Sequence, residues 1–324
     1  MEDLSAITAL VAPHLKAYDE IFKAGIKGNV PLLNTIAKYM VRKKGKQIRP
    51  LFVLLSAGLH GQIDEKAHRG AALIEMLHTA TLIHDDVVDE AWQRRGLFSL
   101  NAVWRNKIAV LIGDYILSRG LLLAIDHDAF RQLKIVSDAT REMSEGELLQ
   151  IEKTRRLNIT EEIYFEIIRK KTATLIAACC ALGAEAAGAD QDAIRRMYHF
   201  GEKTGIAFQI KDDLFDYSEG IASGKPTGTD LKEKKLTLPI IYALRTCSWQ
   251  ERHQMMHTIR LFRKDPERAA KLYQQVASLG GVEYATRKMQ EYRDEALQII
   301  DSFPSSPYGT ALQNLVRYST DRNR

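Results

Sequence analysis

Leu73-Ile74-Glu75-Met76-Leu77-His78-Thr79-Ala80-Thr81-Leu82-Ile83-His84-Asp85-Asp86-Val87-Val88-Asp89 repeats apolar side chains three and four residues apart, at Leu73, Leu77, Ala80 and Ile83. That is the period of an α-helix with one buried face. No proline occurs between Pro50 and Pro226, so helices across that span need not stop or kink. Ile163, Ile167, Leu175 and Ala178 carry the same spacing, and alternating strand patterns are absent. The expected fold is all-α, built from long helices.

Local punctuation refines the reading. Thr160 followed by Glu161-Glu162 predicts a capped helix start, and Gly183, Gly188 and Gly220 predict stops. Tyr217 to Leu236, with three glycines and a proline, reads as the longest irregular segment, and Pro304 to Pro307 interrupts the C-terminal end. No linker stands out, so residues 1–324 are expected to form a single domain.

Composition sets the outer limits. The 324 residues are 45% hydrophobic and 27% charged, too apolar for disorder and typical of a soluble globular chain. A net charge of +5, from 46 Lys+Arg against 41 Asp+Glu, suits an anionic substrate and is too small to argue for nucleic acid. Three cysteines, two of them adjacent at Cys179-Cys180 in an apolar run, exclude a disulfide scaffold and suggest buried reduced thiols. Met1 to Lys16 lacks the pattern of a secretory signal, and no run of about 18 uncharged apolar residues appears. A cytoplasmic location follows as the expectation.

The chemistry concentrates in a short pattern that occurs twice: Asp85-Asp86-Val87-Val88-Asp89 and Asp212-Asp213-Leu214-Phe215-Asp216. On a helix Asp85 and Asp89 stand about 40° apart and roughly 6 Å along the axis, with Asp86 expected on the same side. Three like charges converging among apolar flanks need cations. Oxygen-only ligands select hard ions, and Mg²⁺ in particular completes its shell with waters and substrate phosphates. A solvated acidic face is the plain alternative for one copy. With 20 Asp in the chain, two copies arise by chance roughly 0.003 times per such sequence. Coincidence therefore explains the pair poorly.

Cations flank the acids. Lys46 and Arg49 precede an apolar helix, Leu51 to Leu55, at the end of the dipole that disfavours cations unless an anion is bound. Arg94-Arg95 follows the first cluster by five residues, and paired arginines grip phosphate oxygens bidentately. Gln209 shares a face with the second cluster. The Gly224 to Asp230 segment, which contains Lys225, reads as a basic lid. His78, two turns before Asp85, is placed to donate to an anion. Each of these alone would pass for a solvated charge or a satisfied core histidine.

Together, Gly45-Lys46-x-x-Arg49-Pro50, the segment Glu75 to Asp89, Arg94-Arg95-Gly96, Gly113-Asp114, Gly146-Glu147-Leu148-Leu149-Gln150, Lys171-Thr172 and Phe208-Gln209-x-x-Asp212-Asp213-x-x-Asp216 resemble the trans-isoprenyl (polyprenyl) diphosphate synthases. The resemblance runs from Gly45 to Pro239 in the family's order. It implies an isoprenoid-synthase-type bundle of long antiparallel helices around a central cavity. It also implies a Mg²⁺-dependent prenyltransferase that adds isopentenyl diphosphate to an allylic diphosphate, farnesyl or geranylgeranyl, with about three ions at the bound diphosphate. Asp85, Asp86, Asp89, Asp212 and Asp216 correspond to its metal ligands. Arg94, Lys171, Thr172, Gln209, Lys225 and Lys235 match its allylic-diphosphate contacts. Lys46, Arg49, His78 and Arg95 match its isopentenyl-diphosphate site. Asp85, Asp212, Arg94 and Lys171 would carry the catalysis, because stabilising a departing diphosphate is electrostatic work.

Ile74, Leu77 and Thr81 fall within about 80° of Asp85 at successive turns and, with Ala80, would line the lane for a growing tail. Short-chain members put aromatic rings where Ala80 and Thr81 stand. A long all-trans product of about C30 to C50, as for quinone side chains, is therefore expected from the room in the lane, with Phe130, Leu133 and Val136 as candidate floor residues. A short-chain C15 to C20 synthase, a class I terpene cyclase and an inactive regulatory subunit are the competing readings. A second motif made wholly of aspartate speaks against the cyclase, and intact acid clusters and both arginines speak against the subunit. By analogy with the family the chain is expected to be a homodimer, without nucleic acid, and in transient contact with a membrane surface when so apolar a product leaves.

Overall fold

The computed structural model describes residues 4–42, 45–94, 97–223, 229–232, 234–262 and 265–321, with backbone alone at 94, 97, 218–223, 229–230 and 266. The elements run α1 (Leu4–Leu10), α2 (Ala12–Gly25), α3 (Pro31–Met40), α4 (Ile48–His60), α5 (Glu65–Val88), β1 (Gln93–Arg94), β2 (Leu97–Phe98), α6 (Leu100–Ile125), α7 (Phe130–Arg156) and α8 (Glu161–Ile168). A π-helical turn, Arg169–Ala173, leads into α9 (Thr174–Ala186), α10 (Gln191–Ser223), α11 (Thr229–Lys232), α12 (Leu238–Thr246), α13 (Trp249–Arg260), α14 (Pro266–Ser278), α15 (Gly281–Asp301) and α16 (Pro307–Asp321).

The all-α class read from the sequence holds. The proline-free span carries the longest helices, with 24 residues in α5, 26 in α6, 27 in α7 and 33 in α10. A short antiparallel ladder of β1 and β2, with Gln93 opposite Phe98 and Arg94 opposite Leu97, is a minor addition to the helices that the sequence pattern does not display. Two residues per strand are too few to leave an alternating pattern.

Two compact units divide the chain: the described residues of Met1–Thr140, Ile176–Tyr198 and Phe303–Asn314 in the first, and of Arg141–Leu175, His199–Ser302 and Leu315–Arg324 in the second. Neither is continuous in sequence.

In the first unit α5 begins at Asp64, whose carboxylate accepts from the Lys66 and Ala67 backbone N–H groups at 3.0 and 3.2 Å, an N-cap that satisfies otherwise orphaned donors. Met76, Ala80 and Ile83 of α5 pack with Ala109, Ile112 and Ile116 of α6. By length and hydropathy α6 resembles a membrane span, yet one face lies in this core and the segment carries Asp114 and Arg119. Leu51 to Leu55 of α4 is wholly buried. A Cβ on Gly183 would lie 2.1 Å from the Val53 carbonyl oxygen, so α4 and α9 touch only because that position has no side chain. Gly183 is thus inside α9 rather than at its end, and the stop falls at Gly188, where φ is +77°. The adjacent thiols of Cys179 and Cys180 are fully buried in this packing, and desolvation pushes both well above the ordinary thiol range.

In the second unit Thr160 caps α8 as expected, its hydroxyl accepting from the Ile163 N–H. Tyr164, Ile168, Ile206, Ile210, Leu214, Leu238 and Tyr273 belong to its core. The stop expected at Gly220 is not there, since α10 continues to Ser223, and α11 takes up part of the stretch read as irregular. Apolar Ile206, Ile210, Leu214 and Tyr217 on one face carry α10 past the glycine into the core.

Candidate active site

Both acid clusters sit on long helices, at the end of α5 and within α10. In each, the first acid is exposed and the middle one is buried: Asp85 and Asp212 face out, whereas Asp86 and Asp213 are 5% and 8% exposed. Asp89 is exposed and Asp216 half-buried. The 100° step between neighbours on a helix turns Asp86 away from Asp85, correcting the expectation that it shares their side. Among the described residues no group of three or more His, Cys, Asp or Glu forms a ready-made metal cage. Mg²⁺ does not require one, because it takes one or two carboxylates and fills its octahedron with water and phosphate oxygens. The outward carboxylate pairs one turn apart fit that donor set.

The first unit contains a cavity of ≈ 200 Å³ lined by residues that include Tyr18, Asp19, Gly45, Gln47, Arg49, Glu75, Thr79 and Asp86. Gln47 caps α4 with φ +52°, a left-handed conformation that non-glycine residues adopt at some cost and that clusters at functional sites. Arg49, in the first turn of α4, meets the Glu75 carboxylate with Nε at 3.1 Å and Nη2 at 3.4 Å. The anion at the basic helix start is thus an internal carboxylate from α5. Burial first, then the Glu75 charge, raises the Tyr18 phenol far above its ordinary value, so it stays neutral beside them. Lys46 is exposed and His78 half-buried, and neither lines this cavity. His84 meets the Asp114 carboxylate of α6 at 3.4 Å.

The lane residues belong to the same unit. Ile74, Leu77 and Ala80 are buried and Thr81 is half-buried, with its hydroxyl donating to the His78 carbonyl at 2.9 Å. Val136 is buried, but Phe130 is 58% exposed and therefore lines no floor within this unit.

The second unit holds a cavity of ≈ 240 Å³ whose lining brings together Gln150, Tyr164, Lys171, Thr172, Gln209, Asp213 and Lys235. Four of the residues expected to contact an allylic diphosphate, Lys171, Thr172, Gln209 and Lys235, are thus gathered from α8–α9, α10 and the α11–α12 connection. Arg95 and Lys225, and the side chain of Arg94, lie outside the described residues.

Backbone geometry sets up the contact. Lys171 and Thr172 occupy the π-helical turn, a feature frequent at functional sites. A Cβ on Gly205 of α10 would lie 2.4 Å from the Ala173 Cα, so the missing side chain admits the π turn against α10. Lys171 Nζ pairs with the Glu147 carboxylate and donates to Gln150 Oε1 at 3.2 Å. The Thr172 hydroxyl donates to Gln209 Oε1 at 2.8 Å, and Gln209 Nε2 donates to Asp213 Oδ1 at 2.9 Å. The Tyr164 hydroxyl donates to Asp213 Oδ2 at 2.7 Å, and that of Tyr273 to Asp216 Oδ2 at 3.2 Å.

Glu75, Tyr164, Tyr273 and Glu147 are site residues that sequence reasoning gave no role. The available signal was the helical spacing of Tyr164, seven residues before Lys171. Tyr273, 57 residues beyond Asp216, left none.

Comparison with known proteins gives a concordant result. Residues 30–276 match the family model described as polyprenyl synthetase. The all-trans-nonaprenyl-diphosphate synthase (geranyl-diphosphate specific) of Rhodobacter capsulatus is 38% identical, over 98% of this chain and 97% of that protein. The crystal structure of a decaprenyl diphosphate synthase from the same organism superposes with a TM-score of 0.93 at 32% identity, covering 99% of this chain and 100% of the other. A polyprenyl synthase from Caulobacter crescentus, complexed with calcium and isoprenyl diphosphate, gives 0.89 at 28% identity, with 99% and 98% covered.

Proposed function

The chain belongs to the polyprenyl synthetase family, and from that premise we propose how its residues divide the work of the reaction. It is a prenyltransferase that condenses isopentenyl diphosphate with an allylic diphosphate, head to tail and trans, elongating the chain to a long all-trans polyprenyl diphosphate of the kind used for quinone side chains. The family depends on Mg²⁺, and the Caulobacter relative holds a divalent ion with its ligand.

Asp85 with Asp89 and Asp212 with Asp216 are the metal ligands in this reading, serving about three ions once a diphosphate is present, whereas buried Asp86 is left out of the set. Bound Mg²⁺ supplies Lewis-acid stabilisation of the departing diphosphate. Lys171, Thr172, Gln209 and Lys235, with Arg94 and Lys225, bind the allylic diphosphate and orient its reacting carbon. Lys46, Arg49, His78 and Arg95 bind isopentenyl diphosphate. Apolar Ile167 and Ile168, which also line the second-unit cavity, keep water from the cation formed when the diphosphate leaves. The leaving diphosphate takes the proton lost in the last step, so no side chain is assigned as base. Ala80 and Thr81 are small, which supports a product of about C30 to C50 by the size of the lane.

The observation that carries this reading is the gathering of Lys171, Thr172, Gln209 and Lys235 around one cavity beside the Asp212 motif. Farnesyl or geranylgeranyl diphosphate is the primer we favour, and residues 1–324 act as one catalytic domain. A homodimer is supported by the outer face of α6, where Val103, Val110, Leu111, Leu122 and Ile125 are exposed, an apolar patch of the sort that marks association. The buried thiols suit the cytoplasm, and contact with a membrane surface suits so apolar a product. The test is incubation with MgCl₂ and labelled farnesyl diphosphate, with and without isopentenyl diphosphate. Elongated diphosphate appears only with both substrates and vanishes with EDTA. Hydrocarbon or alcohol released from farnesyl diphosphate alone would indicate a cyclase instead.

A further inference from the structure

We propose that Tyr164 and Asp213 are positioning residues that fix which way the Gln209 amide faces, and through it the polar wall that receives the allylic diphosphate. The inference rests on the reading that the second-unit cavity binds that group.

A carboxylate accepts hydrogen bonds and does not donate them. Asp213, 8% exposed, accepts on one oxygen from the Tyr164 hydroxyl at 2.7 Å and on the other from Gln209 Nε2 at 2.9 Å. The two ends of a glutamine amide are nearly alike in shape, so hydrogen-bonding partners decide its orientation. With its nitrogen turned to Asp213, Gln209 must offer Oε1 on the opposite side, where it accepts from the Thr172 hydroxyl at 2.8 Å. All four side chains line the same cavity.

This arrangement also accounts for a carboxylate in a cavity meant for an anion. Left bare, Asp213 would repel a diphosphate. Held by a phenol and an amide N–H, its charge is stabilised inside the wall by two donors. Asp213 thus differs in role from Asp212 and Asp216, although it belongs to the same sequence motif. Tyr164 is held in turn by the core, where its ring packs edge-on against Phe165 with centroids 5.4 Å apart. Removing the Tyr164 hydroxyl leaves Asp213 Oδ2 without that donor. The carboxylate can then rotate, and the Gln209 amide loses its reference.

Titration calorimetry of the full-length protein with inorganic pyrophosphate in MgCl₂ tests the inference without requiring turnover. Tyr164→Phe should weaken binding by roughly 3- to 10-fold, the size of coupling between networked neighbours. In a Gln209→Ala background the same substitution should weaken binding by a clearly smaller factor, because the amide it orients is gone and only the exposure of Asp213 remains. Equal weakening in both backgrounds, or none in either, would overturn the inference. If Tyr164→Phe does not fold, Asp213→Asn gives the same comparison, since an asparagine can present either end to Gln209. An unsubstituted protein that binds no pyrophosphate would overturn the underlying assignment of the cavity, whereas a binding protein with an additive cycle overturns only the positioning role.

Discussion

Arg49 and Glu75 meet side-on between α4 and α5, with Nε to Oε2 at 3.1 Å and Nη2 to Oε1 at 3.4 Å. The planar guanidinium at a helix start is thereby fixed in orientation at the edge of a cavity, with its charge balanced by a carboxylate side chain. If Arg49 receives isopentenyl diphosphate, Glu75 sets its angle. Glu75→Ala should raise the KM for isopentenyl diphosphate on the order of tenfold, as expected for loss of a bidentate, charge-assisted pair, and leave the allylic KM unchanged. Steady-state kinetics with each substrate varied in turn reads this out.

The exposed acids should separate activity from stability. Asp85→Asn and Asp212→Asn remove charge from side chains that the core does not need, so the thermal midpoint should stay within about 2 °C of the parent. Turnover should fall roughly 10³-fold or more, because stabilisation of a departing anion is the dominant contribution to catalysis. Variants that melt early, or that keep turnover, would place the acids outside the chemistry.

Product length can be probed at two neighbouring positions that differ in packing. Ala80 is buried against Met76, Ile83 and Ile116, so an aromatic ring there overpacks the core at a cost of about 1–3 kcal/mol. Thr81 is half-buried and takes a larger side chain with less strain. Thr81→Phe should therefore shorten the product while leaving the thermal midpoint nearly unchanged, and Ala80→Phe should shorten it with a lower midpoint. Reversed-phase separation of dephosphorylated products measures the first, and thermal unfolding the second.

The α4–α9 contact offers a test of the fold alone. Gly183→Ala brings a Cβ to 2.1 Å from the Val53 carbonyl oxygen, and backbone cannot yield as a flexible side chain can. Denaturant unfolding should give a loss of about 1–3 kcal/mol or more. An unaltered midpoint would mean that the two helices are not in contact there.

Residues that act through local spacing were legible in the sequence. The helical period of Leu73, Leu77, Ala80 and Ile83, the Thr160 cap and the missing prolines each encode their structure within one or two turns, and all reappear in the helices. The acid motifs were legible because their carboxylates are four apart. Gly183 misled because a glycine that ends a helix and one that lets two helices touch look identical until the partner is known. Asp86 and Asp213 misled for a related reason, since adjacent acids in a motif invite one shared role while a 100° step buries the second of each pair. Tyr273 with Asp216, and Glu75 with Arg49, are joined by tertiary packing across 57 and 26 residues, which no window of sequence displays.

The product distribution of the purified, unsubstituted protein tests the central claim most directly. With labelled isopentenyl diphosphate in excess, farnesyl diphosphate as primer and MgCl₂, the products should be all-trans polyprenyl diphosphates of about C30 to C50, a length set by the room beside Ala80 and Thr81. Elongation that stops at C15 or C20, or no incorporation of label at all, would contradict it.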